Sequence, residues 1–159
     1  MKITILCVGK IKEAFFREAV GEYVKRLKRY AAIDVIEVAD EPTKEQPTQR
    51  ERAIVLEKEG ARLLKSMERA DVKIALAING KSMDSVAFAE NIEQKMNAGV
   101  SHLLFVIGGS LGLSEAVLNE CDERISFSEM TFPHQLMRVI LTEQIYRAFR
   151  IMRNEPYHK

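Results

Sequence analysis

The chain has 159 residues, of which 47% are apolar and 30% charged, and its formal net charge is +1. It is therefore long enough to bury a core without disulfide bonds, as ordinary globular domains do. No apolar run approaches the ~20 residues of a membrane helix, and two cysteines supply neither a disulfide framework nor a metal-binding spacing. We expect a single cytoplasmic domain over residues 1–159.

The charges are unevenly distributed along the chain. Residues 1–30 hold eight Lys or Arg against three Asp or Glu, and residues 134–159 hold five against two, whereas the middle is acidic. If the fold brings the two basic ends together, they can form a surface for an anionic partner. Charge alone favours the simpler interpretation that these residues lie on solvated helix faces.

Alternating apolar runs and helical patterns predict an α/β fold with a mainly parallel sheet covered by helices. Three of the runs are almost continuously apolar, as expected for strands that are buried on both faces. The predicted strands are 2–8, 33–38, 73–78, 102–107 and 124–128. The predicted helices are 12–29, 48–69, 83–98, 114–120 and 133–152. Residues 39–48 contain two prolines and predict a mobile surface loop, and Cys7 in the first strand is interpreted as a small buried hydrophobe.

Three strand ends suggest a ligand site, because ligands of parallel α/β sheets bind beyond the carboxyl ends of the strands. The strand ending at 78 runs into Asn79-Gly80, which predicts a turn. The strand ending at 107 runs into Gly108-Gly109, and the strand ending at 128 runs into a loop that stops at Pro133, a residue suited to the first turn of a helix.

Two familiar phosphate-binding motifs are absent from these loops. Ser110 occupies the place of the middle glycine in the dinucleotide fingerprint, and Ala75 occupies the place of the first glycine in the P-loop. The strand-then-glycine pattern therefore indicates neither a Rossmann dinucleotide site nor a P-loop nucleotide site.

Three segments carry a resemblance over essentially the whole chain: MKITILCVGK at the start, FVIGGSLGLSE at 105–115, and SFSEMTFPHQLMRVILTEQIYRAFRIMRNEPYHK at 126–159. Together they resemble the ribosomal large subunit pseudouridine N3-methyltransferases, compact members of the SPOUT (α/β-knot) superfamily. The resemblance implies S-adenosylmethionine as cofactor, a C-terminal trefoil knot, and a homodimer through the knot region. It implies a pseudouridine in helix 69 of 23S ribosomal RNA as substrate, methylated at N3 in the assembled ribosome, with no metal and no membrane.

The resemblance also implies which residues line the cofactor pocket: Leu76, Gly108, Phe127, Ser128, Glu129, Met130, Thr131 and Phe132. Aliphatic walls with backbone donors and acceptors suit the flat faces and polar edge of adenine. Gly108 would let the main chain approach the ligand, although a strand-ending turn explains the same glycine.

The catalytic candidates are His134, Tyr157 and His158, because N3 of pseudouridine must lose a proton before it attacks the methyl group. A helix N-terminus disfavours the imidazolium form of His134. The polar tail 154–159 should contribute little core, and the resemblance suggests that it serves the active site across the dimer. Candidate RNA contacts are Arg138, Arg150, Arg153 and Lys159. Two alternatives remain open: a SPOUT methyltransferase for another RNA such as tRNA, and a non-catalytic ribosome-binding module.

Overall fold

The computed structural model describes residues 1–67 and 69–159. Across these residues, five strands alternate with five helices, and the strands form one parallel sheet in the order β2-β1-β4-β3-β5. The elements are β1 Lys2–Val8, α1 Ala14–Leu27, β2 Ala32–Val38, α2 Gln49–Met67, β3 Val72–Ser82, α3 Ser85–Asn97, β4 His102–Ile107, α4 Glu115–Asn119, β5 Glu123–Ser126 and α5 His134–Met152. The predicted α/β fold with a parallel sheet is confirmed, and every predicted element is present within a few residues of its predicted bounds.

The two central strands explain the continuous apolar runs of the sequence. Residues 3–8 of β1 and 103–107 of β4 are all buried, because helices cover both faces of the sheet. One core cluster lies between the sheet and α1, α3 and α5, and a second lies on the side of α2 and α4. Cys7 is fully buried, as predicted, and burial raises the pKa of its thiol to about 12.

Short polar side chains define the starts of three helices. Thr48 and Glu51 form a reciprocal capping box at α2, with the Glu51 backbone N–H donating to Thr48 Oγ1 and the Thr48 backbone N–H donating to Glu51. Asp84 caps α3 through the Ala87 backbone N–H, and Ser114 caps α4. At α5, Pro133 takes the N-cap position and makes no side-chain hydrogen bond to the helix. The start of this helix lies beside the cleft described below.

The turn predicted at Asn79-Gly80 is wrong, because β3 continues through both residues. The pairing of β3 with β5 instead shifts register between Leu76 and Lys81, as at a β-bulge. A Cβ on Gly80 would lie 2.5 Å from the carbonyl carbon of Ile125, so the glycine serves a close approach of two backbones.

The segment 39–48 contains no helix or strand, as predicted, and its mobility stays a prediction. Its first residues are attached to α2, because Arg62 donates to the Ala39 carbonyl at 2.8 Å and pairs with the Glu41 carboxylate. The predicted threading of the C-terminal part into a knot also stays a prediction. No helix in the described ranges combines the length and the apolar character needed to span a membrane.

Candidate functional site: a cleft at the carboxyl ends of three strands

The irregular part of β3 and the carboxyl ends of β4 and β5 border an open cleft of about 940 Å³. Its walls come from residues 76–79, 107–113, 125–128 and 130–134, with Met137 from α5, Arg52 from α2, and Glu115 and Leu118 from α4. The structure therefore brings together the three segments that the sequence singled out, although β3 continues beyond its predicted end. Seven of the eight predicted cofactor residues line the cleft: Leu76, Gly108, Phe127, Ser128, Met130, Thr131 and Phe132. The eighth, Glu129, is exposed and lies outside the lining.

The glycine loop 108–112 is a tight turn closed by its own backbone. The Gly112 backbone N–H donates to the Gly109 carbonyl at 3.1 Å, and Gly112 has a φ of +85°, which favours glycine. A Cβ on Gly108 would overlap the Gly112 carbonyl group, 2.5 Å from its carbon atom. Gly108 is therefore required by the turn itself, which is the alternative that the sequence left open.

The loop 127–132 forms the side of the cleft next to β5. It carries two local hydrogen bonds: Ser126 Oγ donates to the Ser128 carbonyl at 3.0 Å, and the Met130 backbone N–H donates to Ser128 Oγ at 2.9 Å. Phe127 is fixed by an edge-on contact with Phe88, whose ring centroid lies 5.6 Å away. Met130 is 74% exposed at the mouth of the cleft, where it offers an apolar surface without a protein partner among the described residues. The loop is thus held in place at Phe127 and exposes an apolar side chain at Met130.

His134 is the first residue of α5 and lines the cleft. Its pKa is lowered, first by burial and second by the positive charge of Arg138. The sequence predicted a neutral imidazole from the helix N-terminus, and the direction is as predicted, although burial is the larger cause. A neutral ring can accept a proton or orient the edge of a base.

Arg138 is not a phosphate contact, because its side chain is fully buried. Its guanidinium donates to the carbonyls of Val8 and Gly9 at 2.8 and 2.7 Å and forms an ion pair with Glu37 at 2.7 Å. The predicted RNA contact is therefore wrong at this position. A lone arginine on a helix gives no sequence signal of burial, since its partners lie about one hundred residues away along the chain.

The tail folds back along α5 instead of fraying. The Tyr157 hydroxyl donates to Glu143 at 3.1 Å, its ring lies edge-on to Tyr146 at 4.9 Å, and the Arg147 guanidinium lies 4.7 Å from its centroid. His158 Nδ1 lies 3.4 Å from Arg147 Nη1. The tail thus contributes to the core, contrary to the prediction. Burial, followed by the neighbouring hydroxyl and carboxylate groups, raises the pKa of Tyr157 above its usual range, which disfavours Tyr157 as a base.

A second set of contacts holds the start of the tail. Glu155 accepts from Arg29 at 2.9 Å and from the Tyr30 hydroxyl at 2.5 Å, and it pairs with Arg150 at 2.6 Å. Arg150 also donates to the Pro156 carbonyl at 2.9 Å, so its guanidinium is committed to the tail. Of the predicted RNA contacts, Arg153 and Lys159 remain exposed. The sequence missed Tyr30 and Glu155, because nothing in their local pattern reveals contacts between the turn after α1 and the tail.

The three catalytic candidates are not brought together within one chain. His134 and Glu143, the residue that holds Tyr157, lie nine residues apart on α5. At 1.5 Å and 100° per residue, they are separated by ~14 Å along the axis and face opposite sides of the helix. One chain therefore presents His134 to the cleft and its tail to the other side of α5.

Comparisons with known proteins agree with this fold. A family model described as predicted SPOUT methyltransferase matches residues 1–158, and the chain belongs to this SPOUT methyltransferase family. It is 56% identical over its whole length to the ribosomal RNA large subunit methyltransferase H of Bifidobacterium animalis subsp. lactis. It is 51% identical over its whole length to the protein of the same name in Bacillus pumilus. Both matches also span the whole of the relative.

Solved structures show the same fold at low sequence identity. A Legionella pneumophila protein described as a methyltransferase, and solved in complex with the cofactor SAM, matches with a TM-score of 0.52 and 9% identity over 94% of this chain and 66% of its own. A Neisseria gonorrhoeae protein described as a methylase family member matches with a TM-score of 0.52 and 12% identity over 91% of this chain and 81% of its own.

Proposed function

We propose that this protein transfers the methyl group of S-adenosylmethionine to N3 of a pseudouridine in helix 69 of 23S ribosomal RNA, in the assembled ribosome. The proposal rests on the membership of the SPOUT methyltransferase family, on full-length relatives named as ribosomal RNA large subunit methyltransferases, and on the resemblance of the C-terminal segments. It treats residues 1–159 as one SPOUT domain that works in the cytoplasm, where ribosomes are found.

The observation that carries the proposal is the cleft between the irregular part of β3 and the carboxyl ends of β4 and β5. Its volume of about 940 Å³ suits a nucleoside-sized cofactor. Leu76, Ile78 and Met130 supply apolar walls for the adenine faces, and the loops 108–112 and 127–132 supply backbone groups for its edge. These two loops would hold S-adenosylmethionine with its sulfonium toward the open side of the cleft, near His134.

The reaction is an in-line displacement at the methyl carbon. A base removes the proton of N3, the nitrogen lone pair attacks the methyl group, and the carbon–sulfur bond breaks to release S-adenosylhomocysteine. Because the sulfonium is already an activated leaving group, the step needs no metal. The protein contributes by holding donor and acceptor in line and by accepting the proton. His134 and His158 are the candidate bases, because imidazole is the side chain that ordinarily exchanges a proton near neutral pH.

We infer a homodimer in which the tail of one chain completes the site of the other. Within one chain, Tyr157 and His158 lie on the opposite side of α5 from His134. A second copy, packed through the knot region, would place its tail over the cleft. Tyr157 would then stack on or orient the target base, while His158 and Lys159 would contact the base edge or a phosphate.

The exposed cations Arg153 and Lys159 are the remaining candidates for RNA phosphates. Phosphate contacts make affinity fall with salt, with a slope of about 0.7–0.9 per neutralised phosphate. Replacing Arg153 by Ala should flatten the salt dependence of ribosome binding and leave cofactor affinity unchanged. Arg150 is a poor choice for this test, because its removal would also release the tail.

The function is tested by methyl transfer from labelled S-adenosylmethionine to four acceptors: 70S ribosomes, 50S subunits, protein-free 23S RNA and tRNA. We expect label in 23S RNA of the assembled ribosome, and mass spectrometry of the digested RNA should locate one methyl group on a helix 69 pseudouridine. Label in tRNA would favour the alternative RNA substrate. Ribosome binding without any affinity for S-adenosylhomocysteine in calorimetry would favour a non-catalytic module.

A further inference from the structure

A buried arginine lies directly behind the wall of the cleft that carries His134. Arg138 follows His134 by one helical turn on α5, so the two side chains lie on the same side of the helix. The Arg138 side chain is fully buried, and its Nε has no hydrogen-bond partner among the described residues. Burying a cation carries a desolvation penalty that ion pairing and hydrogen bonds only offset, so the retention of this charge calls for an explanation.

The partners of Arg138 define a turn that touches His134. Two of its bonds go to the carbonyls of Val8 and Gly9, where β1 ends. Gly9 has a φ of +79°, and a Cβ there would lie 3.7 Å from His134 Nε2 and 3.5 Å from Asp40. The imidazole and Asp40 therefore both face the space that a side chain at position 9 would occupy, and Arg138 is hydrogen-bonded to the backbone of that turn.

Three charged groups act on the imidazole: Arg138 from α5, Lys12 from the segment after β1, and Asp40 from the segment after β2. Glu37 on β2 compensates the charge of Arg138 and also accepts from the Ile11 backbone N–H at 3.1 Å. Of the two cations, only Arg138 is buried, so water screens its field least.

We propose that Arg138 is a positioning residue for the methyl-transfer reaction: it fixes the Gly9 turn against His134 and, as a permanent cation one turn away, adds to the effect of burial in favouring the proton-accepting form of the imidazole. The inference rests on the proposed function, in which His134 faces the target base. A residue that only filled the core would hold the turn without affecting the charge state of His134. The two roles therefore predict different titration behaviour.

The test is an NMR titration of the histidines combined with a pH profile of kcat/KM on ribosomes. The chain has three histidines, so their ring signals are resolvable, and His134→Gln identifies the signal of interest. Arg138→Met removes the cation and retains an unbranched side chain. We expect the pKa of His134 to rise by about one unit, a shift common for a nearby charge, and the acid limb of the profile to move to higher pH by the same amount.

Glu37→Gln provides a second variant that remains informative if Arg138→Met fails to fold. It keeps an oxygen acceptor for Arg138 and Ile11 but removes the compensating charge, so the pKa of His134 should fall. Lys12→Met should raise the pKa of His134 less than Arg138→Met, because Lys12 is exposed. Arg26→Met, at the far end of α1, should leave it unchanged. Opposite shifts at two partners of one ion pair are not expected from a structural role.

Two results would overturn the inference. One is a pKa of His134 that stays at the wild-type value in a folded Arg138→Met or Glu37→Gln protein. The other is a His134 pKa that moves while the acid limb of the activity profile does not. The titration needs no substrate, so it separates this inference from the proposed function, which would fail instead if the wild-type protein transferred no methyl group to ribosomes.

Discussion

The two ends of α5 differ in how many contacts the polar and apolar groups around them make within the chain. At the N-terminal end, loop 127–132 has two local hydrogen bonds and exposes Met130 beside an open cleft. At the C-terminal end, the tail is held by ion pairs, hydrogen bonds and aromatic contacts that reach Tyr30 in the turn after α1. The N-terminal end of α5 thus has the exposed groups of a ligand site, whereas the C-terminal end is covered by contacts with the tail of the same chain.

This difference indicates how the two ends contribute to function. An open cleft with an exposed apolar edge gains contacts when a ligand enters, so its loops should become more ordered on binding. The tail needs no ligand to acquire a structure, because Tyr157 and Glu155 already have partners. It therefore presents His158 and Lys159 at a defined position on the surface, as a preformed contribution to a site on another molecule.

Deleting residues 154–159 should have the largest effect, since it removes the segment that makes the contacts at the C-terminal end of α5. We expect methyl transfer to fall at least about a hundredfold, in the range found when positioning groups are lost, while S-adenosylhomocysteine affinity stays within a factor of two or so of wild type. Because Glu155 and Tyr157 leave their partners unpaired, the free energy of unfolding should also fall, by about 1–3 kcal/mol. Calorimetry, denaturant unfolding and the ribosome assay measure the three quantities.

Tyr157→Phe is the matched control for this deletion, because it retains the ring and removes only the hydroxyl, with its bond to Glu143. It should cost about 1 kcal/mol of stability and show how much activity depends on the hydroxyl.

Co-expression of the tail-deleted chain with a variant that has lost cofactor binding then tests the dimer. A mixed dimer has one intact cleft facing one intact tail and should regain activity. Purified mixed dimers without activity would rule out a tail that acts across the interface.

Gly108→Val tests whether the cleft end depends on its backbone turn. A Cβ here would overlap the Gly112 carbonyl group, so we expect a loss of about 2–4 kcal/mol in the free energy of unfolding, not only weaker cofactor binding. Gly21→Ala is the control, because nothing lies within 4 Å of a Cβ at that helical position. It should raise stability by up to about 1 kcal/mol. Equal stability of Gly108→Val and wild type would show that the turn can open.

The apolar mouth of the cleft is tested by replacing Ile78 and Met130 together with Asp. Both side chains line the cleft and are 60% and 74% exposed, so the fold should tolerate the change. The loss of apolar contact should weaken S-adenosylhomocysteine binding by about tenfold, or 1.4 kcal/mol. The control replaces Val86 and Met96, which are 39% and 37% exposed on α3 and do not line the cleft. If both double variants bind equally well, the mouth does not contact the cofactor.

The sequence predicted the sheet and the cleft better than it predicted the contacts of α5. Strands such as β1 and β4 are readable because burial on both faces leaves a continuous apolar run. The convergence of three strand ends follows from parallel pairing. The burial of Arg138 and the docking of Tyr157 depend on partners far away in the sequence, so no local pattern encodes them. The knot has no pattern of its own, and resemblance alone suggested it.

A buried carboxylate beneath the glycine loop adds to the unsatisfied polar groups near the cleft end of α5. Glu59 on α2 is 4% exposed, its Oε1 accepts from the Glu41 backbone N–H at 3.0 Å, and its Oε2 has no partner among the described residues. A Cβ on Gly109 would lie 3.0 Å from that oxygen, so the carboxylate packs directly against the loop. Burial, opposed in part by the Glu41 N–H, raises the pKa of Glu59 above its usual value.

Glu59→Gln should show the smallest effect, and its sign depends on pH. A carboxyl whose pKa is raised by folding contributes stability below its unfolded pKa and loses it as pH rises through the folded value. Wild type should therefore lose stability relative to Glu59→Gln between pH 5 and pH 8, by about 1 kcal/mol at most. Urea unfolding at both pH values measures the difference, and Glu57→Gln, exposed on the same helix, gives the baseline for losing a carboxylate. The difference in the free energy of unfolding between Glu59→Gln and wild type could instead be the same at both pH values. That result would mean that Glu59 ionises as freely in the folded protein as in the unfolded chain, and that burial against the glycine loop does not change its pKa.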